Sequence, residues 1–120
     1  MIALALALLA QASTPAPAPV AGLRSPKEIW EERCMACHGE DGRAQTKKGR
    51  ELKAEDFTSR KWQKRTTDEE IVEAIANGIP KKKMPAFKDK LWTEEIQALV
   101  PYLRAFGRKR GYIDNGHKRP

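Results

Sequence analysis

The sequence predicts an all-α fold, about three to four helices joined by long irregular loops. Two helix-opening signatures carry that expectation, Ser25-Pro26-Lys27-Glu28 and Thr67-Asp68-Glu69-Glu70. Each sets a hydroxyl at the capping position and a glutamate three residues on, so that the two side chains satisfy orphan backbone amides reciprocally. The third observation is a stripe of Ile96, Leu99, Val100, Leu103 and Phe106, with Tyr102 alongside, which follows the helical period. No segment alternates apolar and polar residues as a strand would, and no repeat is present.

The two ends fall outside this domain. An apolar run from Ile2 to Ala10 leads into Ala10-Gln11-Ala12, the small-residue pattern at which signal peptidase cuts, here before Ser13. The run is shorter than the about 20 apolar residues that span a bilayer. Residues 1–12 are therefore expected to be an export signal. No Lys or Arg precedes the run, so an uncleaved anchor stays open as the alternative. Residues 13–24 contain Pro15, Pro17 and Pro19 among small residues and read as an extended linker. Residues 108–120 are basic and aperiodic and read as a tail, which leaves 25–107 as the folded domain.

Within that domain the first helix opens at Ser25 with Pro26 at its first position. Ile29 and Trp30 lie on its apolar side, and it is expected to end near Cys37, with Gly39 just beyond. From Gly39 to Arg65 the chain is polar with weak periodicity. A loop of that length is unusual in a small domain unless something organises it. Leu52, Phe57 and Trp62 are its large apolar residues and are expected to point inward. A second helix follows Thr67 and stops at Asn77-Gly78. Pro80 and Pro85 then exclude continuous helix. The last helix begins near Thr93, where Glu94 and Glu95 suit the positive end of its dipole; Pro101 within it removes one backbone donor.

The 120 residues carry a formal charge of +7, all of it outside the first 12 residues. Such a surface attracts acidic partners. The aromatic residues are not interleaved with basic ones as stacking platforms are, which argues against nucleic acid. A domain this small buries only about 60% of its unfolded-chain surface, so a bound cofactor would be unsurprising.

The chemistry is concentrated at Cys34-Met35-Ala36-Cys37-His38. C-x-x-C-H is the attachment signature for c-type haem. On a helical turn the two thiols share a face, so each can form a thioether to one haem vinyl, and His38 then offers its imidazole to the iron. Three other readings are weaker. A disulfide closing so short a loop would staple little. A thioredoxin-like pair needs a βαβ setting that an all-α chain lacks. Zinc wants four ligands, and the remaining histidine, His117, lies in the basic tail, where it reads as solvated. For the opposite side of the iron, Met35 sits between the cysteines and cannot reach. Met84, after three lysines and before Pro85, is poor core filler and fits a sulfur presented by a stiff backbone. His38 and Met84 together would leave iron no vacant position, which suits electron carriage over oxygen activation.

These residues resemble the class I cytochrome c family of small exported bacterial proteins. The likeness covers about Lys27 to Phe106. It rests on Cys34-Met35-Ala36-Cys37-His38-Gly39, Asp41-Gly42, Asp56-Phe57, Thr67 to Ile71, Gly78-Ile79, Met84-Pro85-Ala86-Phe87 and Leu99-Val100-Pro101-Tyr102-Leu103. The resemblance implies a small cytochrome c fold packed around one haem c, with thioethers at Cys34 and Cys37, proximal iron ligand His38 and distal iron ligand Met84. It also implies that Trp30 crosses the last helix near Leu99 and Tyr102. Four features depart from the family. Ala44 stands where many members have glycine, no proline between Gly39 and Gly78 offers a carbonyl to orient His38, and Pro101 and the basic tail have no counterpart.

The expected function is single-electron carriage between exported or membrane-bound redox partners, without enzymatic activity of its own. Lys81, Lys82 and Lys83, with Lys47, Lys48, Arg50 and Lys53, would form a basic rim that steers acidic docking surfaces. The chain is expected to be a periplasmic or otherwise exported monomer, touching a membrane only through partners or an uncleaved leader. Two alternatives stay open: the haem subunit of a larger oxidoreductase, or a peroxidase or gas-binding protein in which Met84 dissociates.

Overall fold

The computed structural model describes residues 22–114, with side chains described for 22–108. The expectations for the leader, for most of the linker and for His117 lie outside these residues. Helices account for the regular structure among the described residues, with a single isolated two-residue bridge.

The first helical run begins as the capping signature predicts. Ser25 Oγ accepts from the Glu28 amide at 3.2 Å, and the Ser25 amide donates to Glu28 Oε2 at 2.8 Å. Helix α1 (Pro26–Ile29) passes without a break into a π turn (Trp30–Cys34) and then α2 (Met35–His38). In the π turn the Met35 amide reaches back to the Trp30 carbonyl, inserting one extra residue into the turn that carries Cys34. Turns of this kind are concentrated at functional sites. The run stops at Gly39, whose φ of 78° a side chain would resist.

The long polar stretch is not the structureless loop its sequence suggests. It holds α3 (Lys47–Leu52) and α4 (Arg60–Arg65), each started by a hydroxyl cap. Thr46 Oγ1 accepts from the Gly49 amide, and Ser59 Oγ from the Trp62 amide. Six-residue helices show too few turns for a periodic signal, which is why periodicity missed them. Between the two helices Asp56 Oδ1 takes the Thr58 amide and hydroxyl at 2.8 and 2.6 Å, a local turn that presents Phe57 inward. Phe57 and Trp62 are buried as expected, whereas Leu52 is half-buried.

Helix α5 (Asp68–Asn77) has the second capping box and ends at Gly78. The following segment forms a 3₁₀ turn (Pro80–Lys82) and then folds back, so that the Ile79 and Met84 backbones exchange hydrogen bonds of 3.0 and 3.2 Å. Gly78 is required there: its φ is 70°, and a Cβ would lie 2.5 Å from the Met84 carbonyl oxygen.

Helix α6 runs from Thr93 to Asp114, straight through Pro101, whose ring is solvent-exposed. It therefore continues seven residues into the segment that sequence alone reads as an aperiodic tail. Its predicted stripe is buried throughout, and Trp30 packs against Tyr102 and Phe106 at 5.6 and 4.9 Å between ring centroids. Arg104 on α6 reaches the Gln63 and Thr66 carbonyls at 2.9 and 2.7 Å and Asp68 Oδ1 at 2.8 Å, fastening the α4–α5 corner.

A buried carboxylate closes the start of the domain. Glu95, 2% exposed, accepts from the Trp92 amide at 2.9 Å and from the Arg24 amide at 3.0 Å. Arg24, at the end of the sequence-defined linker, is thereby held against α6. Burial pushes the Glu95 carboxyl up, but the two backbone bonds and the Arg24 charge outweigh it and hold it below its ordinary value of 4.5. A carboxyl held low in the fold stabilises above its unfolded pKa, and that contribution is lost as pH falls through the folded value. Thermal melts should therefore show Glu95→Gln less stable than wild type at neutral pH, with the two proteins converging as pH falls below the ordinary carboxyl value of 4.5 and through the lower folded one.

Candidate functional site

A largely apolar cavity of about 300 Å³ lies between the first helical run and the Ile79–Phe87 segment. Cys34, Cys37 and His38 line it together with Met84, so the four side chains singled out from sequence meet in one place. Ile71, Ile75 and Leu99 contribute to its apolar wall. Met35 instead packs against the hydrophobic core and is not among the lining residues. Two thiols, an imidazole and a thioether around an apolar space are the donor set and surroundings that a covalently held haem requires, and the residues present fit it.

His38 is fixed on several sides. Its Nδ1 lies 3.1 Å from the Glu55 carbonyl oxygen, which can only accept, so Nδ1 carries the hydrogen and Nε2 keeps its lone pair. The Phe57 ring stacks on the imidazole at 4.4 Å with a 23° tilt, and the Trp30 ring lies 6.0 Å away. Burial lowers the His38 pKa, more than the Glu55 carbonyl bond and the Glu55 charge raise it, which favours the neutral, coordinating form. The orienting carbonyl that the sequence lacked a proline to supply is thus Glu55. Every residue type carries a carbonyl, so no sequence signal could have marked it.

The thiols are unbridged, and burial, aided by the neighbouring Cys37, pushes the Cys34 thiol up to about 11. Among the described residues, no group of three or more His, Cys, Asp or Glu is placed to hold a metal ion.

The turn carrying the cysteines is braced from behind by α3. Thr46 Oγ1 lies 2.9 Å from both the Ala36 and Cys37 carbonyls. Gly49 packs directly on the Cys37 carbonyl and would place a Cβ 2.7 Å from the Ala44 carbonyl. Ala44 itself takes the left-handed conformation, with φ 57°, while its amide donates to the His38 carbonyl at 2.8 Å. The loop therefore turns as a glycine would allow, at a strain cost of about 1–2 kcal/mol for alanine.

The cations around the cavity differ in their engagement. Lys47, Lys48, Arg50 and Lys53 of the α3 region are exposed, as are Lys81 and Lys83. Lys82 turns inward and pairs with Glu55 Oε1 at 3.1 Å. Arg65 approaches the same carboxylate at 3.3 Å.

An all-α domain whose cavity sets a C-x-x-C-H turn opposite a loop methionine has the architecture of a c-type cytochrome. A family profile described as cytochrome C oxidase, cbb3-type, subunit III, matches residues 21–103, and the chain belongs to that family. The Cbb3-type cytochrome c oxidase subunit FixP of Bradyrhizobium diazoefficiens is 30% identical over 81 residues, 68% of this chain and 26% of FixP. The chain thus spans about a quarter of that curated relative. Among solved structures, the KustC0563 c-type cytochrome superposes with a TM-score of 0.65 at 41% identity, covering 69% of this chain and 98% of the other. A point mutant of the same protein gives 0.64 at 41% identity, over 69% of this chain and 99% of the mutant. The chain is a small c-type cytochrome domain, and its chemistry is haem-based electron transfer.

Gly49→Ala tests the brace behind the haem motif. The added methyl should force α3 away from the Cys37 carbonyl and cost about 1–3 kcal/mol in chemical denaturation. A variant as stable as wild type would mean that α3 does not support the turn.

Proposed function

We propose that the chain is a single-electron carrier with one haem c, held by thioethers at Cys34 and Cys37 and ligated by His38 and Met84. The observation that carries this reading is the convergence of those four side chains on one apolar cavity. When bound, the haem supplies the one-electron ferric/ferrous couple. The two cysteines anchor it, which matters in a domain too small to enclose it fully. The Glu55 carbonyl holds the His38 Nδ1 hydrogen, leaving Nε2 to face the metal and strengthening it as a donor. Met84 offers a thioether, which favours the ferrous state and raises the potential. With His38 and Met84 both bound to the iron, little would rearrange when an electron moves, and no ligand position would be left for a substrate. The protein is accordingly not an enzyme by itself.

Its partners are redox proteins with acidic docking surfaces, met outside the cytoplasm by a monomer that is free or tethered. The net charge of +7 and the exposed cations of α3 and of the Met84 loop support this. No helix among the described residues is long and apolar enough to cross a membrane. A second reading has an observation in its favour. The match to about a quarter of FixP suits the haem subunit of a larger oxidoreductase.

The ligand assignment is tested by spectroscopy. The ferric protein should show the weak sulfur-to-iron charge-transfer band, and the ferrous protein should resist carbon monoxide. Met84→Ala should abolish the band and admit carbon monoxide; an unchanged spectrum would remove Met84 from the iron. The docking reading is tested by kinetics. Electron exchange with an acidic partner should slow steeply between low and physiological ionic strength, and rates indifferent to salt would refute it.

A further inference from the structure

Glu55 touches the cavity twice. Its carbonyl oxygen lies 3.1 Å from His38 Nδ1, and its carboxylate lies 3.1 Å from Lys82 Nζ. Lys82 ends the 3₁₀ turn and is followed by Lys83, whose left-handed φ of 54° redirects the chain into Met84. Glu55, Arg65, Lys82 and Lys83 all line the cavity. One residue thus contacts the imidazole through its main chain and the methionine loop through its side chain.

The Met84 loop is lightly fastened. Pro80 and Pro85 have no amide to donate, and the two Ile79–Met84 hydrogen bonds close the loop on itself rather than on its surroundings. Its exit is anchored to α5, through the Phe87 amide on the Ile75 carbonyl at 2.9 Å and the Lys88 amide on the Ala76 carbonyl at 3.1 Å. The Lys82–Glu55 bond fastens the loop instead to the segment that orients His38, and both of its residues line the cavity. Both side chains are about one-third exposed, at 39% and 32%. A pair in that setting contributes little to global stability. Against the small free energy of opening a single loop, the same contribution is a large share.

We propose that Glu55 is a positioning residue that holds the Met84 loop closed through Lys82 while its carbonyl fixes the proximal imidazole. The inference rests on the ligation of Met84 proposed above. Arg65, 3.3 Å from the same carboxylate, offsets its charge and keeps it directed at the cavity mouth.

Added imidazole competes with Met84 for ferric iron, so its affinity reads how readily the loop opens. Glu55→Gln leaves the carbonyl to His38 in place and removes only the charge. This variant and Lys82→Gln should each bind imidazole about fivefold more tightly than wild type, the upper end for a pair of this exposure. The double variant should bind no more tightly than Glu55→Gln alone, because both changes break the same Lys82–Glu55 bond. Lys82→Arg, which keeps the charge, should stay near wild type. Wild-type affinity in either single Gln variant would overturn the proposal, as would effects that multiply in the double variant. A wild-type ferric protein lacking the charge-transfer band would overturn the Met84 reading itself. A normal band with unmoved imidazole affinity would overturn only the role of Glu55.

Discussion

The rest of the structure is arranged around the indole of Trp30. The ring is 1% exposed and has four aromatic neighbours, with Phe106 nearest at 4.9 Å and His38 farthest at 6.0 Å. Aromatic side chains bury about 150–250 Å², which at about 25 cal/mol per Å² is about 4–6 kcal/mol for one residue. A buried indole must also satisfy its N–H, and Trp30 Nε1 donates to the Gly39 carbonyl at 3.2 Å. That acceptor closes the helix bearing Cys37 and His38. Packing the first run against α6 and setting the haem motif are therefore consequences of one side chain.

Because the domain is small, its core and its cavity compete for the same residues. Trp30, Phe57, Ile71, Ile75, Phe87, Leu99 and Leu103 belong to the buried cluster and also line the cavity. Helices α3 and α4 are too short to persist on propensity alone. They are held by side-chain caps, by Thr46 against the Cys37 carbonyl, and by Gln63, whose Nε2 donates to the Phe57 and Leu103 carbonyls at 2.8 and 3.0 Å. These are backbone-directed bonds that fix where Phe57 stands, and Phe57 is the ring stacked on His38. Stability and the geometry of the proximal side thus run through the same contacts.

What could be read from sequence was what depends on local spacing. The two capping boxes, the α6 stripe, the stop at Gly78 and the C-x-x-C-H turn all report through residues a few positions apart. That Met84 would lie at the cavity was legible because two prolines and three lysines make a poor environment for an ordinary core methionine. The π turn left no mark, since it needs one shifted hydrogen bond and no particular residue. Ala44 stands where many relatives carry glycine, yet the His38 carbonyl holds its amide and the loop takes the glycine-like turn. Helix α6 outran the basic boundary at Gly107 because an established helix extends by one hydrogen bond per residue without a new nucleus. Glu55 was invisible for a deeper reason: it acts on His38 through an atom common to every residue.

The division among Lys81, Lys82 and Lys83 follows from that same residue. In sequence they form one run, which suggests one role in attracting acidic surfaces. The Glu55 carboxylate pairs with Lys82, while Lys81 and Lys83 stay exposed, Lys83 at the edge of the cavity it helps to line. Long-range attraction depends on net charge and is indifferent to which lysine supplies it. A short-range bond across a cavity mouth depends on the individual geometry of Lys82. A partner's acidic surface approaching this rim would meet the two outward lysines first and compete with Glu55 for the third only on close contact. If both proposed roles hold, steering and closure would share one stretch of chain without one weakening the other, provided the partner docks on the rim and does not enter it.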